Sequence, residues 1–493
     1  MGFIAFVTLF LCTAVSAFAL SAEARYTHGI FYKGEIRQAV LQIKVTGEPG
    51  EKIKSITFSP GETSNVADIK LVRLSSRADW NGYTFNTSNY IYENGKARLK
   101  KDTITFKHEY ELSSEPLCIW LSYDLSSSAK RNSKIDAVCT GITSSTGEVV
   151  VPKIVLADGL EKRKIGRVYR FPYRVAPYYR PRWVKGWGNA EKAIHLTPGH
   201  FNLFTDFIHF AYSVTAEGNM TYQWAGGGMS DQEVADNALK EIKRLHAEAK
   251  SKAKLIAGFG HMDGPMTTAV ANPDTRRTMA RNMAQWAISR GYDGIDIDWE
   301  YPDSEADWKN FGFFIADLRE ELSGSGISIS IAASVGYKTP TFWVTDQLDF
   351  IMTMSYDDLT PDNHASMRLF HRDADMCLNR FLMPKPKIVV GLPFYSNEKG
   401  KLTNQYGYSQ IVSWHPRLKP EVNEFVSKNQ DGSNGPVHTF NGPSLIAEKC
   451  RWIKENKYGG VMIWAYDTDL PLKHKSSLAR AMFKVIRQPK KKD

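Results

Sequence analysis

The chain has 493 residues, 42% hydrophobic and 24% charged, with a formal net charge of +10. Such proportions exclude a disordered or fibrous chain, and the length suggests two or three units rather than one small domain. The positive balance would suit a nucleic-acid binder, but the basic residues concentrate between Lys162 and Lys185 and in the tail Lys490 to Lys492. These read as a solvated linker and a charged tail, so no nucleic-acid partner is expected.

Gly2 to Ala19 form an apolar run ending in Ala17-Phe18-Ala19. The run reads as a signal peptide over residues 1–19, although Lys and Arg are missing ahead of it. It is short for a spanning helix, which needs ~20 apolar residues, and no later segment is apolar enough to span. The expected product is secreted, periplasmic or at the cell surface, with no transmembrane segment in the mature chain. Cys118, Cys139, Cys377 and Cys450 lack metal-type spacing, so no metal is expected. Cys118 and Cys139 lie in strand-like segments and either pair or stay as buried thiols.

Residues 25–151 predict an all-β sandwich. Its strands are placed at Ala39 to Val45, Ile53 to Phe58, Ile69 to Leu74, Thr103 to Phe106, Cys118 to Tyr123 and Gly147 to Val151. Gly-Pro and Ser/Asn clusters between them supply turns. Residues 152–171 read as a linker, with Ile154 to Leu156 a possible extension of the last strand. From residue 172 to 487 apolar strands alternate with amphipathic helices. Strands are placed at Val175 to Tyr179, Phe207 to Ser213, Leu255 to Phe259, Gly294 to Glu300, Ile327 to Ala333, Phe350 to Met354, Ile388 to Leu392 and Val461 to Trp464. Helices are placed at Ser230 to Ala249, Thr275 to Arg290 and from Ser304 to Leu322, the last opened by Ser304 and Asp307. Repeated βα units of nearly continuous apolar strands mean a parallel sheet, and eight over about 300 residues suggest a closed (β/α)8 TIM barrel of the α/β class. A doubly wound open sheet is the alternative.

The chemistry concentrates in Gly291-Tyr-Asp-Gly-Ile-Asp-Ile-Asp-Trp-Glu-Tyr-Pro302. On a strand, alternate residues face one way, so Asp296, Asp298 and Glu300 share a face with Cα atoms ~6.6 Å apart from one to the next. Ile295, Ile297 and Trp299 face the helices. Pro302 ends the strand and leaves Glu300 at the C-terminal rim, where barrel active sites sit. Stacked buried carboxylates make no sense as packing, but crowding keeps one protonated near neutral pH, as a general acid requires. A solvated acidic strand end and a Mg²⁺ or Ca²⁺ site are the competing readings.

Asp293-Gly-Ile-Asp296-Ile-Asp298-Trp-Glu300 resembles the D-G-x-D-x-D-x-E signature of glycoside hydrolase family 18, the chitinases. Met354-Ser-Tyr356-Asp357 is similar to the family's M-x-Y-D, Gly391-Leu-Pro-Phe-Tyr395 to its seventh strand and Gly460-Val-Met-Ile-Trp464 to its eighth. One element departs: Gly258-Phe-Gly260-His261 stands where S-x-G-G is usual. The resemblance implies a cofactor-free, retaining mechanism on polymers or oligosaccharides of N-acetylglucosamine, in which the substrate's 2-acetamido oxygen is the nucleophile. Glu300 would be the proton donor, Asp298 the acetamido partner, Asp296 its tuner and Tyr356 a donor to the acetamido carbonyl. Met354 and Asp357 would line the sugar site, and Trp464 would form its floor. Tyr395 and Tyr179 fit cleft positions less securely, and Trp183, Trp187 and Trp224 could extend a sugar platform.

Few residues, Asn397 to Tyr458, separate the last two strands, so a shallow, open groove and endo-type cutting are expected. Val66-Ala-Asp-Ile-Lys-Leu, Trp120-Leu-Ser-Tyr-Asp-Leu and Ile135-Asp-Ala-Val-Cys139 resemble the β-sandwich placed before some secreted bacterial sialidases. Such a module binds glycan or acts as a spacer. A monomer is expected. Competing functions are an endo-β-N-acetylglucosaminidase acting on N-glycans, a non-catalytic chitin-binding lectin, and a metal-binding or structural surface protein.

Overall fold

The computed structural model describes residues 19–77, 92–99, 102–156, 163, 165–169, 173–181, 196–223, 231–260, 262–335, 341–360, 363–381, 383–429 and 431–486. The leader over 1–19, all but its last residue, lies outside them, as do Trp183, Trp187, Trp224, His261, Ser230 and the basic tail. Among the described residues no helix is long and apolar enough to cross a membrane.

The N-terminal unit is β-rich. One sheet has six strands in the order Lys153–Ile154, Ser21–Tyr26, Gln38–Thr46, Leu117–Leu125, Ile69–Arg77, Tyr92–Ala97. A second joins Val149–Val150, Val138–Ser144, Lys52–Ser59 and Ile104–Phe106, with Tyr110–Glu111 paired to Lys52–Ser59. Alternate residues of both, among them Leu41, Ile43, Leu121, Ile53, Ile56, Phe58 and Ile142, meet in one buried core. That is the alternation the sequence displays. The segment expected to be a linker, 152–171, is corrected. Lys153–Ile154 adds to the first sheet, and Gly166–Tyr169 pairs with Ile30–Tyr32 and Lys134–Ile135. Its apolar residues include the short run Ile154 to Leu156 and the separated Ile165 and Val168, broken by Lys and Arg, so no strand period marks the second pairing segment. Cys118 and Cys139 lie in different sheets, and all four described cysteines are free and buried.

The C-terminal unit is an eight-stranded parallel barrel. Its strands are β1 (Arg174–Tyr179), β2 (Asp206–Val214), β3 (Lys254–Phe259), β4 (Gly294–Ile297), β5 (Ser328–Ala333), β6 (Phe350–Thr353), β7 (Ile388–Pro393) and β8 (Gly460–Trp464). Each pairs with the next, and β1 pairs with both β2 and β8, closing the ring. The open-sheet alternative is thereby excluded. At the seam, a β-carbon on Gly460 would collide with the Arg174 backbone, so glycine is required there. Outward residues such as Ile295, Ile297, Val461 and Ile463 pack under the helices in one large core. Inward residues, among them Ile208, Phe210, Ile256, Met352, Val389 and Met462, fill the barrel as a second core. Helix Glu305–Glu321 opens on the expected Ser304–Asp307 capping box. Helix Pro273–Ser289 starts earlier than expected, because Asn272 accepts from the Asp274 and Thr275 amides and Pro273 suits the first turn.

Between β7 and β8 the chain builds more than an open connection. Tyr395–Glu398, Tyr406–Gly407, Glu424–Lys428 and Asn434–Thr439 form a four-stranded antiparallel sheet beside the rim. The sandwich meets the opposite end of the barrel. His28 donates from its backbone amide and sets Nδ1 against Asp346 Oδ2, both at 2.7 Å. Trp120 packs edge-on against Phe342 at 4.4 Å, and the Tyr32 hydroxyl donates to the Asp349 carbonyl at 3.4 Å. Asp346 and Asp349 precede β6, at the end away from the carboxylates.

Candidate active site

The regular ladder of β4 stops at Ile297, three residues before the expected end. The extended run continues through the Asp298 amide, which donates to the Phe259 carbonyl at 2.8 Å. Asp296 and Asp298 are buried inside the barrel, and Glu300 emerges at its mouth. Ile295, Ile297 and Trp299 lie in the outer core, as the alternation requires.

Each carboxyl has a different environment. Asp296 accepts from the Ser330 hydroxyl at 2.7 Å and from the Tyr178 hydroxyl, a very short contact. Burial pushes it up to about 6, and the two donated bonds hold it from going higher. Asp298 is raised well above the carboxylate range by burial first, then by the charges of Glu300, Asp296 and Asp263. Its Oδ1 is buried and has no hydrogen-bond partner among the described residues. Desolvation also raises Glu300, opposed by the Tyr301 hydroxyl and reinforced by Asp263 and Asp357. The three titrate as a set, and burial together with their mutual repulsion holds all of them above the ordinary carboxylate range.

The loop after β6 brings the next group. Met354 is buried in the barrel interior, and Tyr356 is half-buried beside it. Tyr356 meets the Tyr395 ring edge to face at 6.0 Å. Asp357 adopts a left-handed backbone, φ 65°. Its Oδ1 accepts from the Tyr395 hydroxyl at 2.5 Å and the Asn397 amide at 2.6 Å. On the far side Trp464 is half-buried, edge-on to Tyr178 at 5.2 Å and to Phe210 at 5.3 Å. The Arg180 guanidinium lies 5.1 Å from its ring centre and pairs with Asp467 at 2.7 Å, tying the ends of β1 and β8 together.

One expected cleft residue is corrected. Tyr179 packs outward on Phe207 at 5.7 Å, in the layer under the helices. Its neighbour Tyr178 points inward, because residue parity on β1 decides the face. Sequence reasoning also missed Ser330, Tyr301, Asn397 and Arg180. Ser330 had a signal: a hydroxyl inside the otherwise apolar run Ile329 to Ala333 must find a partner. Asn397 and Arg180 sit on connections whose path a lone sequence does not fix.

A family model, glycosyl hydrolases family 18, matches residues 175–469. The chain is 26% identical over 322 residues to chitinase 1 of Aphanocladium album, covering 56% of this chain and 75% of that protein. It is 25% identical over 284 residues to probable chitinase 2 of Drosophila melanogaster, covering 46% of this chain and 58% of that one. Among solved structures, a chitinase from Bacteroides thetaiotaomicron superposes with a TM-score of 0.53 at 21% identity, over 65% of this chain and 99% of that one.

Proposed function

The chain belongs to glycosyl hydrolase family 18 and is a glycoside hydrolase of the chitinase type, and on that premise we propose that it cleaves β-1,4 linkages of N-acetylglucosamine in chitin or chito-oligosaccharides. The observation that carries this reading is the acid set itself: Glu300 at the mouth, raised above the ordinary carboxylate range, beside a buried carboxyl, Asp298, with an oxygen that has no partner among the described residues. A buried polar atom without a partner is costly unless the substrate supplies one.

In the reading we favour, Glu300 protonates the glycosidic oxygen and the bond to the anomeric carbon breaks. The family resemblance supplies the nucleophile, the carbonyl oxygen of the substrate's own 2-acetamido group, which closes an oxazolinium ring. Asp298 Oδ1 takes the acetamido N–H, and as its proton passes to Asp296, held by Tyr178 and Ser330, the ionised Asp298 balances the positive charge. Tyr356 donates to the acetamido carbonyl. Glu300, now ionised, draws a proton from water, which opens the ring with net retention. Trp464 stacks under the sugar, since an indole face suits the apolar face of a pyranose. Met354, Asp357 and Tyr395 line the site.

The four-stranded sheet beside β7 supports a wall on one side of the groove, lower than a full inserted domain. Export rests on the leader read from the sequence. The sandwich, like the module before some secreted sialidases, then serves as a base for the barrel. Its contacts at the end away from the acids favour a structural role over a share in the cleft.

A substrate panel tests the reading. Chitotetraose should be cut, cellotetraose should not, and a high-mannose glycoprotein should keep its glycans. Equal turnover of the cellulose and chitin oligomers would remove the acetamido nucleophile from the account. Release of intact N-glycan would select the endo-β-N-acetylglucosaminidase reading.

A further inference from the structure

The left-handed backbone of Asp357 is less favourable than a right-handed one, though aspartate tolerates it, and the contacts around it hold the side chain in place. Part of that support is local: Tyr395, Asn397 and the His364 ring, whose Nδ1 lies 3.3 Å from Asp357 Oδ1. His364 also closes the loop through its carbonyl, which accepts from the Asp358 amide at 2.9 Å.

Beneath the loop lies a polar layer in which His364, Thr439, Asn441 and Lys449 are buried and Asn363 is half-buried. The His364 amide donates to Thr439 Oγ1 at 3.1 Å, and Asn363 Nδ2 donates to the Phe440 carbonyl at 2.6 Å. Asn441 Nδ2 donates to Asn363 Oδ1 and to the Ala365 carbonyl, both at 3.1 Å. The layer ends on Lys449, from helix Pro443–Glu455, whose Nζ donates to the Ala365 carbonyl at 2.6 Å and to Asn441 Oδ1 at 2.7 Å. The ammonium also faces the Phe370 ring at 4.9 Å. Lys449 is 0% exposed, and among the described residues no carboxylate forms an ion pair with it.

A buried cation with no carboxylate in contact is destabilising, Asp373 and Glu448 act on Lys449 only through space, and an apolar side chain would serve packing better. Burial pushes this ammonium down to about 7. What the charge does here is draw two carbonyl-type oxygens onto one point, and both belong to the layer that carries the loop. We propose that Lys449 is a positioning residue for the cleft, fastening residues 354–360 and 363–366 from below so that Asp357 and Tyr356 stay in register with the acids of β4. The functional part rests on the reading that Asp357 meets substrate; the structural part does not.

The test compares Lys449→Met, Lys449→Arg and wild type in the full chain by hydrogen exchange and by chitotetraose kinetics. In Lys449→Met, amide protection should drop about tenfold or more across 355–366 while peptides of β4 and β5 stay protected. Its kcat/KM should fall about ten- to hundredfold, and Lys449→Arg should recover part of that. Added to Asp357→Asn, Lys449→Met should cost little more, because both act through one group. Unchanged exchange in 355–366 overturns the proposal, and so does a full additional loss in the Asp357→Asn background. A wild type inert on chitotetraose counts against the chitinase reading alone, and the exchange arm still decides the anchor. If Lys449→Met does not fold, Asn441→Ala breaks the same layer and is read the same way.

Discussion

At the scale of single residues, chemically similar carboxyls do different work because their surroundings differ. Glu300→Gln keeps the shape and removes the proton, so kcat on chito-oligosaccharides should fall by roughly 10²–10⁴ with KM little changed. A steady-state comparison checks it, and near-wild-type kcat would remove Glu300 from the acid role. Glu300 is raised, so it holds its proton above the ordinary carboxylate range, and activity should decline as pH rises through that raised value. The acidic limb should follow protonation of Asp296, near 6. Ser330→Ala removes one bond that favours its ionised form and should move that limb upward in a pH profile of kcat/KM. The same burial bears on stability. Asp298 has a folded pKa above its unfolded one, so its contribution is greatest at acidic pH and is lost as pH rises. Asp298→Asn should therefore stabilise the chain at pH 8 by roughly 1–3 kcal/mol and do so less at pH 4. Equal effects at both pH values in thermal melts would contradict the burial of that charge.

At the scale of elements, legibility followed periodicity. The acids of β4 alternate with Ile295, Ile297 and Trp299, and that pattern alone told which side faced the barrel. β1 lacks such a pattern: Ala176, Pro177, Tyr178 and Tyr179 are all compatible with either face, and the fold turns Tyr178 rather than Tyr179 inward. The end of β4 was read too far because the sequence marks Pro302, whereas loss of pairing after Ile297 depends on β5. The sequence does not show the four strands beside β7, since each is short and the pairing that joins the two hairpins, Asn397 with Thr439, is distant in sequence. The corrected register gives its own expectation. Tyr178→Phe should lower kcat by about tenfold or more through Asp296, while Tyr179→Phe leaves it within twofold. Equal effects would put the wrong tyrosine in the cleft.

At the scale of the whole molecule, two units share a buried boundary. His28, Tyr32 and Trp120 of the sandwich meet Asp346, Asp349 and Phe342 at the end of the barrel away from the acids. The existence of two units was legible from the change of period near residue 172, but their contact was not, because Trp120 looks like any sandwich-core aromatic. Trp120→Ala should cost about 3–5 kcal/mol and split thermal unfolding into two transitions, with kcat unchanged below the first. A single, unshifted transition would mean the units do not support each other. The central claim concerns chemistry, and one measurement reaches it: incubation of chitotetraose with the purified chain and with Glu300→Gln, reading products and their anomeric form. The account requires chitobiose, formed first as the β anomer, from the wild type and almost none from the variant. An intact tetramer with wild type, or equal cleavage by both proteins, would contradict it.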